Sequence, residues 1–511
     1  MTVARRLLVP NSPRTSRIAA LPCLLVFPLL SPPAASQGPG EYRFAREGVL
    51  GTSSSLVVKA PDEATAQRAE AVVFAEVARL QAVFSTWDED AELAKLVAAG
   101  HGRPSAELTT MLTLAASWRE RSHGAFEPGI ARIGALWRDA AATGVAPSPA
   151  ALTAAVAALQ TAPWQLHDGE LTLRGPVTLD AIAKGHVVDR AAAALTRVPG
   201  VSLLSFQIGG DTRLGDTTGP VAISDPRRPA ENGAPLCRVQ AGGKAVASSG
   251  GYARGFEVAG VHHSHILDPR TGSPCDGVLG ASVVADDVAT ADALATILCV
   301  LGAKDGLPLL ATVPGADGVL VTADGTVHES PGFAARRADS TAPLATSAAP
   351  GGWPAGFALQ IDFEIKAPAA AAGGRGRGGW KRPYVAVWIE DLTGAPAKTL
   401  CLWVENRRWL RDLRRWAREN ADRPGFPDLV SQATRKAGNY TLTWDGTDDD
   451  GSTLAAGKYF VCIEATREHG TYQLIRREIE LRGEAQAIPL EGGEEIAGAK
   501  LTFGPAARSG K

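Results

Sequence analysis

SHILDPRTGSP, residues 264–274, gathers a His, an Asp-Pro turn, an Arg and a Thr-Gly into one short loop, directly after His262 and His263. Such a loop suits an anionic ligand held beside a general base, or a polar hairpin with a hydrogen-bonded His. Upstream, LDAIAKGHVVDRAA (residues 179–192) reads as a helix opened by a Lys-Gly pair, where N-terminal amides and Lys184 could meet a phosphate. The glycine spacing of a Walker loop is missing, so a plain helix start is the alternative. IGGDTRLGD (208–216) and Ser248-Ser-Gly-Gly-Tyr252 are turns where backbone can approach a ligand closely, or simply tight turns. In TADALATILCVLG (290–302), Asp292 and Thr296 stand four apart on one helix face. A carboxylate and a hydroxyl so placed can share a hard cation, although an Asp near a helix start also serves as a cap.

Outward from these motifs, a first segment (41–329) alternates amphipathic helices with short β-rich runs. Residues 64–84, 150–159 and 189–196 have helical spacing, and 201–208, 219–223 and 279–285 read as strands. An Ala/Pro/Ser-rich stretch, 330–352, reads as a linker. Beyond it, 353–511 is strand-rich, with runs at 358–365, 384–390, 399–404, 439–444, 459–465 and 475–481, most of them alternating apolar with polar residues in the pattern of a β-sandwich. The Ala/Gly/Arg tract 367–382 cannot form a core and reads as a loop.

The N-terminus, 1–37, has the order of a secretory signal. Arg5, Arg6, Arg14 and Arg17 precede an apolar run at 18–30, followed by small residues ending near Ser36. Arg5-Arg6 leaves a twin-arginine signal as the alternative. The run is too short for a membrane-spanning helix, which needs about 20 residues. An exported, periplasmic location is therefore expected, and loss of Cys23 with the signal would leave five of the six Cys. With 511 residues there is room for two or three domains. The balance of 52 Lys+Arg against 54 Asp+Glu offers no electrostatic case for a nucleic-acid partner, and six Cys rule out a disulfide scaffold.

Together, in this order, the four motifs resemble the ApbE-type FAD:protein FMN transferases over residues 49–310. The likeness includes Leu50-Gly51-Thr52, Ser85-Thr86-Trp87 with Glu92, and Gly124-Ala125-Phe126-Glu127-Pro128 with Trp137. The resemblance implies an α+β fold with a mixed sheet and helices, export, and Mg2+-dependent cleavage of FAD. FMN would pass to a Thr or Ser of an exported acceptor protein, releasing AMP. It places metal ligation on Ala181, Asp292, Ala295 and Thr296, and a base on His265. Flavin contacts fall on Leu50, Trp87, Ala125, Phe126, Glu127, Thr178, Lys184 and Ile266, with Asp180 and Arg270 in supporting roles. Thr178 stands where the family has Asp, with Asp180 two residues on. Glu127, Leu50 and Trp87 replace Asp, Met and Tyr, and Gly251 replaces an acidic or amide residue. The same residues would serve an FAD pyrophosphatase, and Thr178 is compatible with a non-catalytic flavin-binding module of an electron-transfer assembly.

The stretch 439–465 resembles the closing hairpin of the Ig-like domain of flagellar hook-scaffold proteins, and of a domain of unknown function associated with membrane electron transfer. An all-β Ig-like domain is expected there, and the partner could belong to a membrane electron-transfer complex. Its turn around Asp448 could bind Ca2+ or be a plain hairpin. Asp450-Gly-Ser-Thr453 begins like an acceptor signature but continues Leu454-Ala-Ala456, so self-modification is not expected. Six Arg within 407–418, with Trp409, Leu413 and Trp416 at helical spacing, fit a surface for a partner, an anionic lipid or a flavin phosphate. They also fit an amphipathic helix covering the sandwich with solvated arginines. Cys401 and Cys462 lie on expected strands and could pair across the sandwich. The oligomeric state is left open.

Overall fold

The computed structural model describes residues 40–227, 232–233, 235–251, 254–338, 352–354, 356–366, 382–404, 407–420, 431–432, 434–449, 452–467 and 471–505. The signal, the loop tract at 367–381 and part of the linker lie outside them.

An eight-stranded sheet dominates the first region. Its strands are β1 (Gly40–Val49), β2 (Thr52–Ala60), β3 (Ser202–Ile208), β4 (Asp211–Leu214), β5 (Ala245–Gly250), β6 (Val278–Ala285), β7 (Asp317–Thr322) and β8 (Val327–Glu329), and they lie side by side in chain order. The sheet is antiparallel throughout, not mixed as expected, because each helical excursion returns the chain to the end of the sheet it left.

One face carries three helices: α1 (Glu63–Phe84), α2 (Asp180–Ala193) and α3 (Val288–Ala311). On α1, Ala66, Ala69, Val73, Val77, Leu80 and Phe84 recur at helical spacing and are buried against α2 and the sheet. Asp62 caps α1, accepting from the Thr65 N–H at 2.7 Å. Helix α3 is long and apolar enough to cross a membrane, yet it is the core helix here: Val288, Ala291, Leu294, Ile297 and Leu298 are all fully buried. It breaks at Gly302, whose φ of 68° interrupts the helical path.

Helix α2 begins at Asp180, so Lys184 and Gly185 lie in its second turn rather than opening it. The free N-terminal amides are therefore not at the Lys-Gly pair. A Cβ on Gly185 would stand 2.5 Å from the Val288 carbonyl oxygen, so only glycine allows α2 and α3 to approach this closely. Gly185→Ala is expected to destabilise the domain by about 1–3 kcal/mol, the overpacking cost exceeding the helix-propensity gain. A thermal melt lowered by several degrees checks this.

Part of the expected linker is folded. Ser330 caps the short helix Pro331–Ala335, Phe333 is fully buried, and Arg336 pairs with Asp317 at 2.8 Å. An apolar anchor and an ion pair hold residues 330–338 on the first region despite their loop-like composition.

The C-terminal region is a two-layer β-sandwich. One sheet runs β12-β9-β16-β15, formed by β9 (Phe357–Ile365), β12 (Gly438–Trp444), β15 (Gln486–Glu491) and β16 (Ile496–Pro505). The other runs β11-β10-β13-β14, formed by β10 (Tyr384–Glu390), β11 (Pro396–Trp403), β13 (Gly457–Thr466) and β14 (Tyr472–Leu481), with Ser431–Gln432 added parallel at the β11 edge. Ile361, Phe363, Val387, Trp403, Ile463 and Phe503 fill the space between them.

Helix α4 (Arg414–Glu419) covers the outer face of the second sheet, with Leu413 and Trp416 fully buried. The expectation of solvated arginines fails at Arg415. Its guanidinium donates to the fully buried Glu390 at 2.7 and 2.8 Å, because Glu390 needs a cation once the helix shields it from water. Cys401 and Cys462 are not bonded to each other. They flank successive β10 residues, Val387 and Trp388, and so face opposite sides of one sheet.

Candidate functional site

The chemistry-bearing residues of α2, α3, β4 and β5 converge on one side of the main sheet. Asp287 takes the cap of α3, accepting from Thr290 N–H at 2.7 Å, and Asp189 of α2 accepts from the Val288 and Ala289 amides at 2.8 and 3.1 Å. With the cap filled by Asp287, Asp292 is free of that duty. It is 2% exposed, and its Oδ2 accepts from the Gly185 N–H at 3.3 Å.

The hairpin between β3 and β4 turns on Gly209, at φ 60°, and Gly210, where a Cβ would meet the Ser248 carbonyl at 2.6 Å. This tight turn projects Asp211 under α2. The Lys184 ammonium binds Asp211 Oδ2 and lies 3.6 Å from Asp292 Oδ2. Burial would lower the Lys184 pKa, but the charges of Asp211 and Asp292 outweigh it and drive it upward. Asp211 is raised, first by burial and then by the Asp292 charge, with Lys184 opposing.

Four residues after Asp292, Thr296 Oγ1 lies 3.2 Å from Ser249 Oγ on β5. Ala295 beside it is fully buried, and Ala181 sits half-buried in the first turn of α2. Among the described residues no three His, Cys, Asp or Glu side chains cluster as a metal site. The oxygens here are two carboxylates and a hydroxyl, the hard donors a magnesium-like cation takes. Asp211 Oδ1 is buried without a hydrogen-bond partner, so these residues fit such an ion.

His265 follows the hairpin formed by Gly255–Val258 and Val261–Ser264. Its Nδ1 lies 3.1 Å from the Arg254 carbonyl, an obligate acceptor, so Nδ1 carries the proton and Nε2 presents a lone pair. The ring keeps solvent access. Crowding by surrounding protein, with the charges of Arg254 and Lys184 adding, lowers its pKa below the ordinary 6.5, against the pull of that carbonyl. The Lys184 charge thus acts on His265.

The Asp-Pro turn holds itself together. Gly272 N–H donates to the Asp268 carbonyl at 2.7 Å, and Trp137 Nε1 reaches the Gly272 carbonyl at 2.8 Å. Arg270 donates through Nε and Nη2 to Asp268 at 2.9 and 2.8 Å, so its guanidinium is engaged within the turn.

Among the remaining candidates, Phe126, Ile266 and Leu50 pack in the same apolar core as Ala181 and Ala295. Leu50, at φ 49°, and Gly51 form the turn between β1 and β2. Trp87 is 79% exposed, its N–H held by Ser85 Oγ at 3.2 Å. Ala125, Phe126 and Ile266 are buried. Glu127 is also buried, paired with Arg119 and accepting from Gly129 N–H at 2.8 Å, so both its oxygens have partners inside the fold. Thr178 donates its N–H to the Pro128 carbonyl at 2.9 Å and accepts from the exposed Asp180 N–H at 3.2 Å. Sequence reasoning did not single out Asp211, Ser249 or Arg254. The Gly-Gly-Asp turn was the one available signal for Asp211.

Residues 50–320 match the ApbE family, and the chain belongs to that family. It is 33% identical to the FAD:protein FMN transferase of Rhodobacter capsulatus over 56% of this chain and 57% of that protein, and so spans little more than half of that relative. It is 31% identical to the FAD:protein FMN transferase of Treponema pallidum over 52% of this chain and 80% of that protein. The crystal structure of the ApbE protein from Thermotoga maritima superposes with a TM-score of 0.52 at 26% identity, covering 59% of this chain and all of that one. Residues 375–498 match a second family, described as a predicted periplasmic protein (DUF2271).

Proposed function

We propose that the chain is an FAD:protein FMN transferase that acts on a Thr or Ser hydroxyl of an exported acceptor protein and releases AMP. The observation that carries this reading is the meeting of Lys184 with Asp211 and Asp292, with Thr296 one turn beyond Asp292 on the same helix and the Lys184 charge acting on His265. The names of the family relatives support it.

The acceptor hydroxyl oxygen forms a bond to the FMN phosphorus, the pyrophosphate P–O bond breaks, and AMP departs with the bridging oxygen. His265 Nε2 takes the hydroxyl proton, a sensible exchange because an alcohol cannot ionise by itself near neutral pH. Lys184 offsets negative charge gathering on the phosphates. Asp292, Thr296 and a carbonyl near Ala181 would hold Mg2+, which supplies charge neutralisation for the pyrophosphate. Trp87, exposed and aromatic, offers a face on which the flavin ring can stack.

The domain reading is an exported two-domain protein, with a leader at 1–37, the transferase at 41–329 and an Ig-like domain at 353–511. The second family's description supports the periplasm.

Incubating the protein with FAD, Mg2+ and a candidate acceptor tests the reading by covalent flavin fluorescence in a denaturing gel and by AMP release. Labelled acceptor is expected. AMP without label would indicate a pyrophosphatase, and neither signal a flavin-binding module.

A further inference from the structure

Within the charged cluster, Asp211 stands out by the state of its two oxygens. Oδ2 holds Lys184, while Oδ1 is buried and has no hydrogen-bond partner. The residue is fully inaccessible to solvent, so water does not satisfy that oxygen from outside. An unpartnered carboxylate oxygen in such a place is costly unless something else binds it.

The charges point the same way. Asp211 and Asp292 share a single ammonium, that of Lys184. With both carboxylates ionised, two negative charges face one ammonium, an imbalance that a bound divalent cation would offset. Asp292 Oδ2 accepts the Gly185 N–H, and the neutral hydroxyls of Thr296 and Ser249 pair with each other. Register places Asp211 opposite Ala247, two residues before Ser249, so Asp211 and Ser249 share the sheet face that α3 covers with Asp292 and Thr296.

We propose that Asp211 is a direct ligand of the divalent cation, its Oδ1 joining Asp292 and Thr296 while Oδ2 keeps Lys184 beside the phosphates. This rests on the transferase reading, and it extends the ligand set to a residue on the sheet. A carboxylate from the β3–β4 hairpin and another from α3 would hold the ion between sheet and helix. It also gives Lys184 a place to remain when the ion takes up Asp292.

The test uses Mn2+, which favours the same oxygen donors, titrated into the flavin-free protein and followed by electron paramagnetic resonance. Asp211→Asn should weaken Mn2+ binding by about 100-fold, at or above the loss seen for groups that touch a metal only through its ligands. Lys184→Met should retain or tighten Mn2+, and Asp211→Asn in that background should again lose it. The Lys184→Met background also removes the buried ammonium that Asp211→Asn would leave with Asp292 as its one acidic partner in the cluster, which guards against unfolding. Unchanged Mn2+ affinity in Asp211→Asn overturns the inference while leaving the transferase reading standing. Loss that disappears in the Lys184→Met background overturns it too, since Asp211 would then act only by holding Lys184. No Mn2+ binding by the wild type would overturn both the inference and the cation-dependent part of the reading.

Discussion

His265→Ala should reduce covalent flavin labelling of an acceptor protein by about 10²- to 10⁴-fold, the range a positioned general base contributes. FAD binding should survive, because Lys184, Asp211 and Asp292 sit on α2, β4 and α3 and are untouched by the change. The wild-type rate should also carry the signature of this imidazole. Its pKa lies below 6.5, so the base form predominates at pH 7 and above, and the rate should be level there. It should fall tenfold per unit as pH drops below the His265 value, and the residual rate of His265→Ala should lack that slope. Labelling that persists at wild-type speed would remove His265 from the role of base.

Glu390→Ala should be the most destabilising change in the C-terminal region. Glu390 is fully buried and accepts from Arg415 at 2.7 and 2.8 Å, Arg476 at 2.8 Å and Trp388 Nε1 at 3.0 Å. Removing it strands two guanidinium groups, which costs about 3–5 kcal/mol for a fully buried pair. Arg415 and Arg476 keep 21% and 30% exposure, so the lower end of that range is expected. Chemical denaturation measures it, and a loss under 1 kcal/mol would show that solvent screens the network.

The pH dependence has a definite sign. Burial raises the Glu390 carboxyl, but the hydrogen bonds from Arg415, Arg476 and Trp388 outweigh it and hold the pKa below the usual range. Its stabilisation is therefore full above the unfolded carboxyl pKa of about 4.3. It is lost as pH falls through the lower folded value.

Glu464 adds a second constraint on the same helix. It is fully buried, and its oxygens accept the Arg415 and Trp416 backbone amides at 2.8 and 2.9 Å. The arginine-rich stretch is thus anchored from the sheet by two acids. From the sequence these acids looked like ordinary polar members of strands, since nothing in a strand's period reveals which outward residue a distant helix will cover.

The sequence by itself determined the elements whose signal is local. The helical period of residues 64–84 became α1, and the alternation at 358–365 and the apolar runs at 384–390 and 459–465 became sandwich strands, because side-chain direction repeats with backbone geometry. The four motifs, being contiguous, also carried the family. Tertiary structure alone decided the pairings. Asp211 meets Lys184 because a Gly-Gly hairpin and the α2–α3 approach at Gly185 bring β4 beneath α2. Glu127 turns onto Arg119, and Arg415 onto Glu390. In each case a charge that was free to face a ligand when read along the chain found an opposite charge nearby in space. The physical reason is that an ion's role is set by its surroundings in three dimensions, through desolvation and the nearest counter-charge, and neither quantity is written in spacing along the chain.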